Sequence, residues 1–269
     1  MRHTLTCESA GPHRSLKVMS LNVAHGRKLA RQQLFVPSHK FQANLADVAD
    51  VLVRHEPDVV ALQEADGPSF WSGDFHHVEH LAELAGFDHH FWGEHNSLQL
   101  GRRRLVTGTA LMSRTPLGDA ASVVFPPSPP TPRKGFVVAS LPLPGAPGRS
   151  VDLVSVHLDF LSKRARRRQI RSIEEALAPR ANPRIILGDM NAWWKRRNDV
   201  VPLLCEQLDV RPCRPECRKL ATFPSRRPRF RIDWILISPE LEFASYATVA
   251  DAVSDHLGVM AEVHLADAA

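Results

Sequence analysis

Apolar residues recur along this chain in two rhythms. In the first they form short runs: LKVMSLNV (16–23), DVVALQE (58–64), GTALMS (108–113), GFVVASL (135–141), VDLVSVHL (151–158), RIILGD (184–189), RIDWILIS (231–238) and GVMAEVHL (258–265). Such runs read as buried strands. In the second they recur three and four residues apart. Leu45, Val48, Leu52 and Val53 share one face of NLADVADVLVRH (44–55), and Ile170, Ile173 and Leu177 one face of RARRRQIRSIEEALA (164–178). Both segments are expected helices. Glu56-Pro57 stops the first. HHVEHLAELAG (76–86) reads as a short helix closed by Gly86, a residue favoured just past a helix end.

The Pro-rich stretch FPPSPPTP (125–132) is expected to be a loop, because proline cannot donate to a strand ladder. No internal repeat and no linker divides the chain. Many strands with a few interspersed helices predict a single α/β or α+β domain on stacked sheets. The expected boundaries are a loose tail over residues 1–14 and a folded domain over 15–269. A length of 269 residues is ample for a core.

Composition narrows the class. Hydrophobic residues make up 43% and charged residues 23%, which excludes wholesale disorder. No apolar run approaches the roughly 18 residues of a membrane span. Met1 to Arg14 lacks an apolar stretch of the secretory kind, so a cytoplasmic location is expected. The net charge of +5 is only a weak pull towards polyanions. Four cysteines do not make a disulfide scaffold. Cys205, Cys213 and Cys217 read as reduced thiols rather than a zinc site, since the CxxxC spacing has no fourth ligand nearby. The six basic residues between Lys163 and Arg171 read as the solvated face of a helix.

The polar residues at the edges of these runs are not scattered. Asn22 closes the first strand and Glu64 the second. His157 ends VDLVSVH, Asp189 ends RIILGD, and Asn191 follows two residues later. Asp233 lies near the start of RIDWILI, and Asp255 and His256 directly precede the last strand. Ends and starts of antiparallel strands meet at one sheet edge, so these residues can line a single mouth. Asn22, Glu64 and Asp255 offer oxygen ligands suited to Mg²⁺ or Mn²⁺. His256 is a candidate general base on water, with Asp233 fixing its tautomer. His157 and Asn191 are candidate donors to a phosphate as its negative charge builds.

SLNV (20–23), PDVVALQE (57–64), GTALMSR (108–114), SVHLD (155–159), ILGDMN (186–191), TFPS with RIDWIL (222–236) and SDH (254–256) resemble, in order and spacing, the endonuclease/exonuclease/phosphatase superfamily. The resemblance implies two mixed β-sheets packed face to face with helices outside, a four-layer sandwich in one domain. It also implies metal-dependent hydrolysis of a phosphate ester. Glu64 then matches the principal metal ligand, with Asn22 and Asp255 also in the metal site. His256 matches the general base paired with Asp233. Asp189 matches the aspartate that orients the nucleophile or binds a second metal, and Asn191 and His157 match the phosphate contacts. The chain departs from the abasic-site endonucleases of this superfamily: QEAD follows the strand, the one tyrosine is Tyr246, and Thr109 stands where an asparagine is common.

Substrate choice lies in three loops: 23–40, which carries His25, Arg27, Lys28 and Arg31; 93–104; and 192–199. Arg27, Trp193, Trp194 and Arg196 are the candidate substrate contacts. Aromatic faces beside cations stack bases and hold phosphates, or sit at a lipid interface. The expectation is a phosphodiesterase of nucleic acid or phospholipid, acting as a monomer without an obligate protein partner. The alternatives are a phosphomonoesterase for a small phosphorylated molecule and an inactive binding module on the same fold.

Overall fold

The computed structural model describes residues 15–30, 32–195 and 199–266, and the backbone of Leu5 and Thr6. Two mixed sheets carry the chain. The first runs in the order β1 (Leu5–Thr6), β12 (Leu241–Val249), β13 (Gly258–Leu265), β2 (Leu16–Asn22), β3 (Val59–Asp66), β5 (Arg103–Ser113) and β4 (His89–Leu100). The second runs β10 (Arg211–Pro212), β11 (Asp233–Ile237), β9 (Arg184–Asp189), β8 (Ser150–His157), β7 (Gly135–Pro142) and β6 (Gly118–Val124). Each sheet has one parallel pair, β2 with β3 and β8 with β9. A parallel pair needs a crossover, and α1 (Ser38–His55) and α3 (Lys163–Leu177) supply one each. With α2 (His77–Ala85) and α4 (Val200–Leu208) they cover the outer sheet faces.

Both faces of each sheet are therefore buried, which is why the strands read as unbroken apolar runs. Along β2 and β3, Leu16, Val18, Val59 and Ala61 point between the sheets, against Val137, Leu153, Ile185 and Ile235. Met19, Leu21, Val60 and Leu62 point outwards, beneath α1 and α2. Ile170, Ile173 and Leu177 seal the other outer face. Lys163, Arg164, Arg167, Arg168 and Arg171 of α3 face solvent, whereas Arg166 is half-buried and donates to Asp159 O (2.8 Å).

The inter-sheet layer changes character along the strands. Beyond its apolar part lies a buried polar bridge: Ser20 Oγ donates to Gln63 Oε1 (3.4 Å), and Gln63 Nε2 to Ser155 Oγ (3.2 Å). Beyond that bridge the carboxyl ends of β2, β3, β8 and β9 open on one edge. Gly188, one residue before Asp189, allows the close strand contact there. A Cβ at this position would lie 1.9 Å from the Val156 carbonyl oxygen.

Several elements differ from the sequence expectation. Residues 93–104, expected as a loop, form most of β4 and its turn into β5. The edge strand β6 is mostly exposed and has little alternation to read. The strand β12 and the short helix α4, with Pro202 inside its first turn, also lack a clear period. Leu5–Thr6 pair with Tyr246 and Ser245 of β12. The rest of the expected tail lies outside the described residues. Tyr246 is buried in the inter-sheet core, and Cys213 and Cys217 pack against it.

Candidate active site

One half of the site gathers around Asp189 and Asp233 of the second sheet. Asp189 ends β9, and Asp233, first residue of β11, is its register partner. His256 stands just ahead of β13, with Nδ1 2.9 and 3.1 Å from the two Asp233 carboxylate oxygens. The Thr222 hydroxyl donates to Asp233 Oδ2. The Phe223 ring packs 4.9 Å from the His256 ring. Ser225 fastens this hairpin to the 254–256 loop, its N–H donating to Asp255 O (2.8 Å) and its hydroxyl to Ser254 O (2.6 Å). The free ring atom, His256 Nε2, lies 4.0 Å from Asp189 Oδ2.

Asp189 is held by three donors. The Asn191 N–H reaches Oδ1 (2.8 Å), while Asn191 Nδ2 and Asn22 Nδ2 each reach Oδ2 at 3.2 Å. Asn191 adopts φ +46° and also donates to Leu158 O (3.0 Å). Asn22 Oδ1 accepts from the Ala24 N–H (2.9 Å), so its amide bridges its own loop and Asp189. Burial and the neighbouring Asp233 charge push the Asp189 carboxyl up to about 7, against the pull of His256 and Lys134. For His256 burial favours the neutral ring. The Asp233 charge and hydrogen bond, with the Asp189 and Asp255 charges, outweigh it and raise the pKa to about 10.

The first sheet delivers the other half. Register slips between Gln63 and Ala65, and Glu64 takes φ +52° in the resulting bulge. Bulges re-aim side chains, and this one takes Glu64 out of the strand alternation. His25 Nε2 lies 3.2 Å and Arg27 Nη1 3.7 Å from Glu64 Oε2. His25 Nδ1 is 2.7 Å from Asp66 Oδ1, and Trp71 Nε1 donates to Asp66 Oδ2 (2.9 Å). The other Arg27 nitrogen bonds Asp255. His157 Nε2 connects the two halves, 3.8 Å from Glu64 Oε1 and 3.5 Å from Asp189 Oδ2. Lys134 Nζ donates to the His157 ring.

These contacts set the charges. Burial alone would raise the Glu64 pKa, but His25, His157, Lys134 and Arg27 outweigh it and hold the carboxylate ionised. Burial and the adjacent Lys134 charge hold His157 neutral. His25 goes the other way: the Asp66 and Glu64 charges overcome burial and raise it.

Asp189, Asp233 and His256 offer ligand atoms that all lie within 4.8 Å of one another. Glu64 stands across His157 from them. Oxygen-rich and largely shielded from water, this set fits a hard divalent cation. Asp255 is placed against Arg27, and Asn22 orients Asp189.

His25 enters the site from a segment read only as a substrate loop, and Asp66, Lys134 and Thr222 are brought in without having been singled out. Asp66 closes β3 two residues after Glu64. Lys134 precedes β7 as His256 precedes β13, so the strand-start pattern that marks Asp233 also marks Lys134. A cavity of about 390 Å³ opens beside Glu64 and His157, walled by Trp71, Leu98, Thr109, Lys134 and Phe160. A second recess lies beyond Asn191. There Trp193 stacks on Phe230, centroids 5.3 Å apart, with Lys195 Nζ 4.5 Å from the Trp193 ring. Trp194 is half-buried against Trp234, so Trp193 carries the exposed ring. Arg196, like Arg31, lies outside the described residues.

Residues 19–256 match the Endonuclease/Exonuclease/phosphatase family. The chain belongs to this family. The matched span ends on His256 and holds every site residue named above. Members of the family are metal-dependent phosphoesterases, and this enzyme is one of them. Solved structures share its fold at low identity. A family protein from Bacteroides thetaiotaomicron is 17% identical with a TM-score of 0.73, covering 94% of this chain and 98% of its own. The mannosyl-6-phosphatase of the same species is 16% identical with a TM-score of 0.68, covering 93% and 99%. The human Nocturnin catalytic domain, solved with bound sulfate, is 16% identical with a TM-score of 0.69, covering 98% of each chain. No curated protein sequence matches the chain.

Proposed function

We propose that the enzyme hydrolyses phosphodiesters with Mg²⁺ or Mn²⁺, using water activated by His256. The observation that carries this reading is a pair of recesses lined by segments that adjoin the site residues in the chain. One lies beside Glu64, His157 and Lys134, the other beyond Asn191 at Trp193 and Phe230. A diester has a substituent for each, whereas a monoester has one.

A divalent cation held by Glu64 and Asp189 would polarise the phosphoryl oxygen and offset the charge of the leaving oxygen. A cation on Asp189 would offset part of the negative charge that holds the His256 proton, which favours the neutral ring as a base. Asp233 keeps Nδ1 as the donor, leaving Nε2 to accept a proton from water. Asn22 and Asn191 fix Asp189. Lys134 and Arg27 place positive charge around the phosphate as it becomes more negative.

The test is EDTA-sensitive hydrolysis of bis-p-nitrophenyl phosphate, compared with the mono-ester. Preference for the diester is the expected result. Preference for the mono-ester would favour a second reading, a phosphatase whose small substrate fills the 390 Å³ cavity alone.

A further inference from the structure

Exposed apolar side chains are concentrated at one edge of this molecule. Among the described residues, eleven large hydrophobic side chains are exposed: Leu34, Phe35, Val53, Leu84, Leu98, Leu100, Val124, Phe160, Leu161, Trp193 and Phe230. Val53 and Leu84 lie on the outer helices. The other nine lie where the active site opens.

The topology fixes that placement. Leu34 and Phe35 lie between the end of β2 and the start of α1. Phe160 and Leu161 follow His157 at the end of β8, and Trp193 follows Asp189 at the end of β9. Phe230 precedes Asp233. β3 and β4 are both antiparallel to β5, so β4 runs with β3 and carries Leu98 and Leu100 past the same edge. Val124 pairs with Gly135, next to the register pair Phe136 and Val156. Leu98 and Phe160 line the cavity that holds Glu64 and His157.

This rim is strongly exposed, Leu34 to 73% and Phe35 to 81%. Exposed apolar side chains gathered at one edge of a folded protein point to a binding face. Exposed basic residues lie among these side chains: Arg102 and Arg103 at the β4–β5 turn, Arg133 before β7, Lys195 beside Trp193, and Arg226, Arg227 and Arg229 before Phe230. Apolar side chains flanked by cations fit the boundary between acyl chains and anionic headgroups. Five of the nine are Leu or Val, which cannot stack on a nucleic-acid base as an aromatic platform does.

We propose that this edge is an interfacial docking surface, which seats on an anionic phospholipid bilayer and presents the mouth to headgroup phosphodiesters. The docking stands on the rim alone. Its use for catalysis rests on the phosphodiesterase reading above.

The test is flotation with vesicles of phosphatidylcholine alone, and with about 30 mol% phosphatidylglycerol added, across roughly 50–500 mM NaCl. The wild type should float with the anionic vesicles, less so as salt rises. The double variant Leu34→Ser/Phe35→Ser, and Leu161→Ser separately, should partition about tenfold more weakly or worse. Their turnover of soluble bis-p-nitrophenyl phosphate should stay within about twofold of wild type, since these side chains lie outside the metal cluster and both recesses. A wild type that ignores anionic vesicles overturns the proposal, as does equal partitioning of the variants. Salt-sensitive binding of a short single strand without vesicle binding would overturn it in favour of a nucleic-acid face. If the protein floats but does not cleave the soluble diester with Mg²⁺ or Mn²⁺, the docking stands and the phosphodiesterase reading fails.

Discussion

His25 Nδ1 lies 2.7 Å from Asp66 Oδ1, and its other ring nitrogen lies 3.2 Å from Glu64. The arrangement repeats across the mouth, where His256 Nδ1 lies 2.9 Å from Asp233 and Nε2 faces Asp189 at 4.0 Å. In each case a buried carboxylate orients an imidazole towards a second carboxylate. Asp66 also accepts from Trp71, and Asp233 from Thr222, so neither outer carboxylate is free to turn.

The first pair is expected to position Glu64 for the metal. Partners behind a ligand typically change metal affinity about 10–100-fold. Asp66→Asn and His25→Ala should each weaken Mn²⁺ binding on that scale, and the double variant should add little. Calorimetric titration of Mn²⁺ into the folded variants checks this, and unchanged affinity would remove the positioning role.

The second pair is expected to act as one catalytic unit. His256→Ala and Asp233→Asn should each lower kcat by roughly 10²–10⁴. Removing both should cost little more than removing one, because groups that work together are non-additive. Multiplicative losses in steady-state kinetics would show that the two act independently.

Glu64→Ala should abolish turnover while leaving the fold intact. Glu64 is the half-buried anion at the mouth, and its side chain belongs to none of the apolar clusters. Circular dichroism and a thermal melt should match the wild type closely. Full activity in the variant would contradict the role given to its charge.

A pH dependence of stability follows for the metal-free protein. The folded-state pKa of His256 rises from 6.5 to about 10, so the folded state keeps a proton that the unfolded chain gives up. That contribution is complete below about pH 6.5 and disappears as pH rises through about 10. Asp189, raised from 3.8 to about 7, has the same sign in its own lower window. In EDTA, Tm should fall between pH 6.5 and 10, and His256→Gln should flatten that fall. An equally steep fall in the variant would place the dependence elsewhere.

Gly188→Ala should be poorly tolerated. The residue has φ +150°, and an added Cβ would lie 1.9 Å from backbone oxygen, which cannot move without parting β8 from β9. A loss above about 4 kcal/mol in urea unfolding, or no soluble protein, is the expected outcome.

Apolar runs and their polar ends determined a great deal by themselves. They placed β2, β3, β5, β7, β8, β9, β11 and β13 and the residues at their ends, because burial on both faces leaves a continuous local imprint. Edge strands such as β6 carry no such imprint. Tertiary structure decided which of those ends meet, through contacts between residues far apart in the chain. Asn22 reaches Asp189 across 167 residues, and His25 reaches Asp66 across 41. The turn of Glu64 out of its strand comes from a register slip against β5, a property of two strands rather than one. The Asp66 contact, the Lys134 contact with His157 and the gathering of nine apolar side chains around one mouth arise in the same way. Each depends on where separate segments stop relative to one another, and no single segment records that.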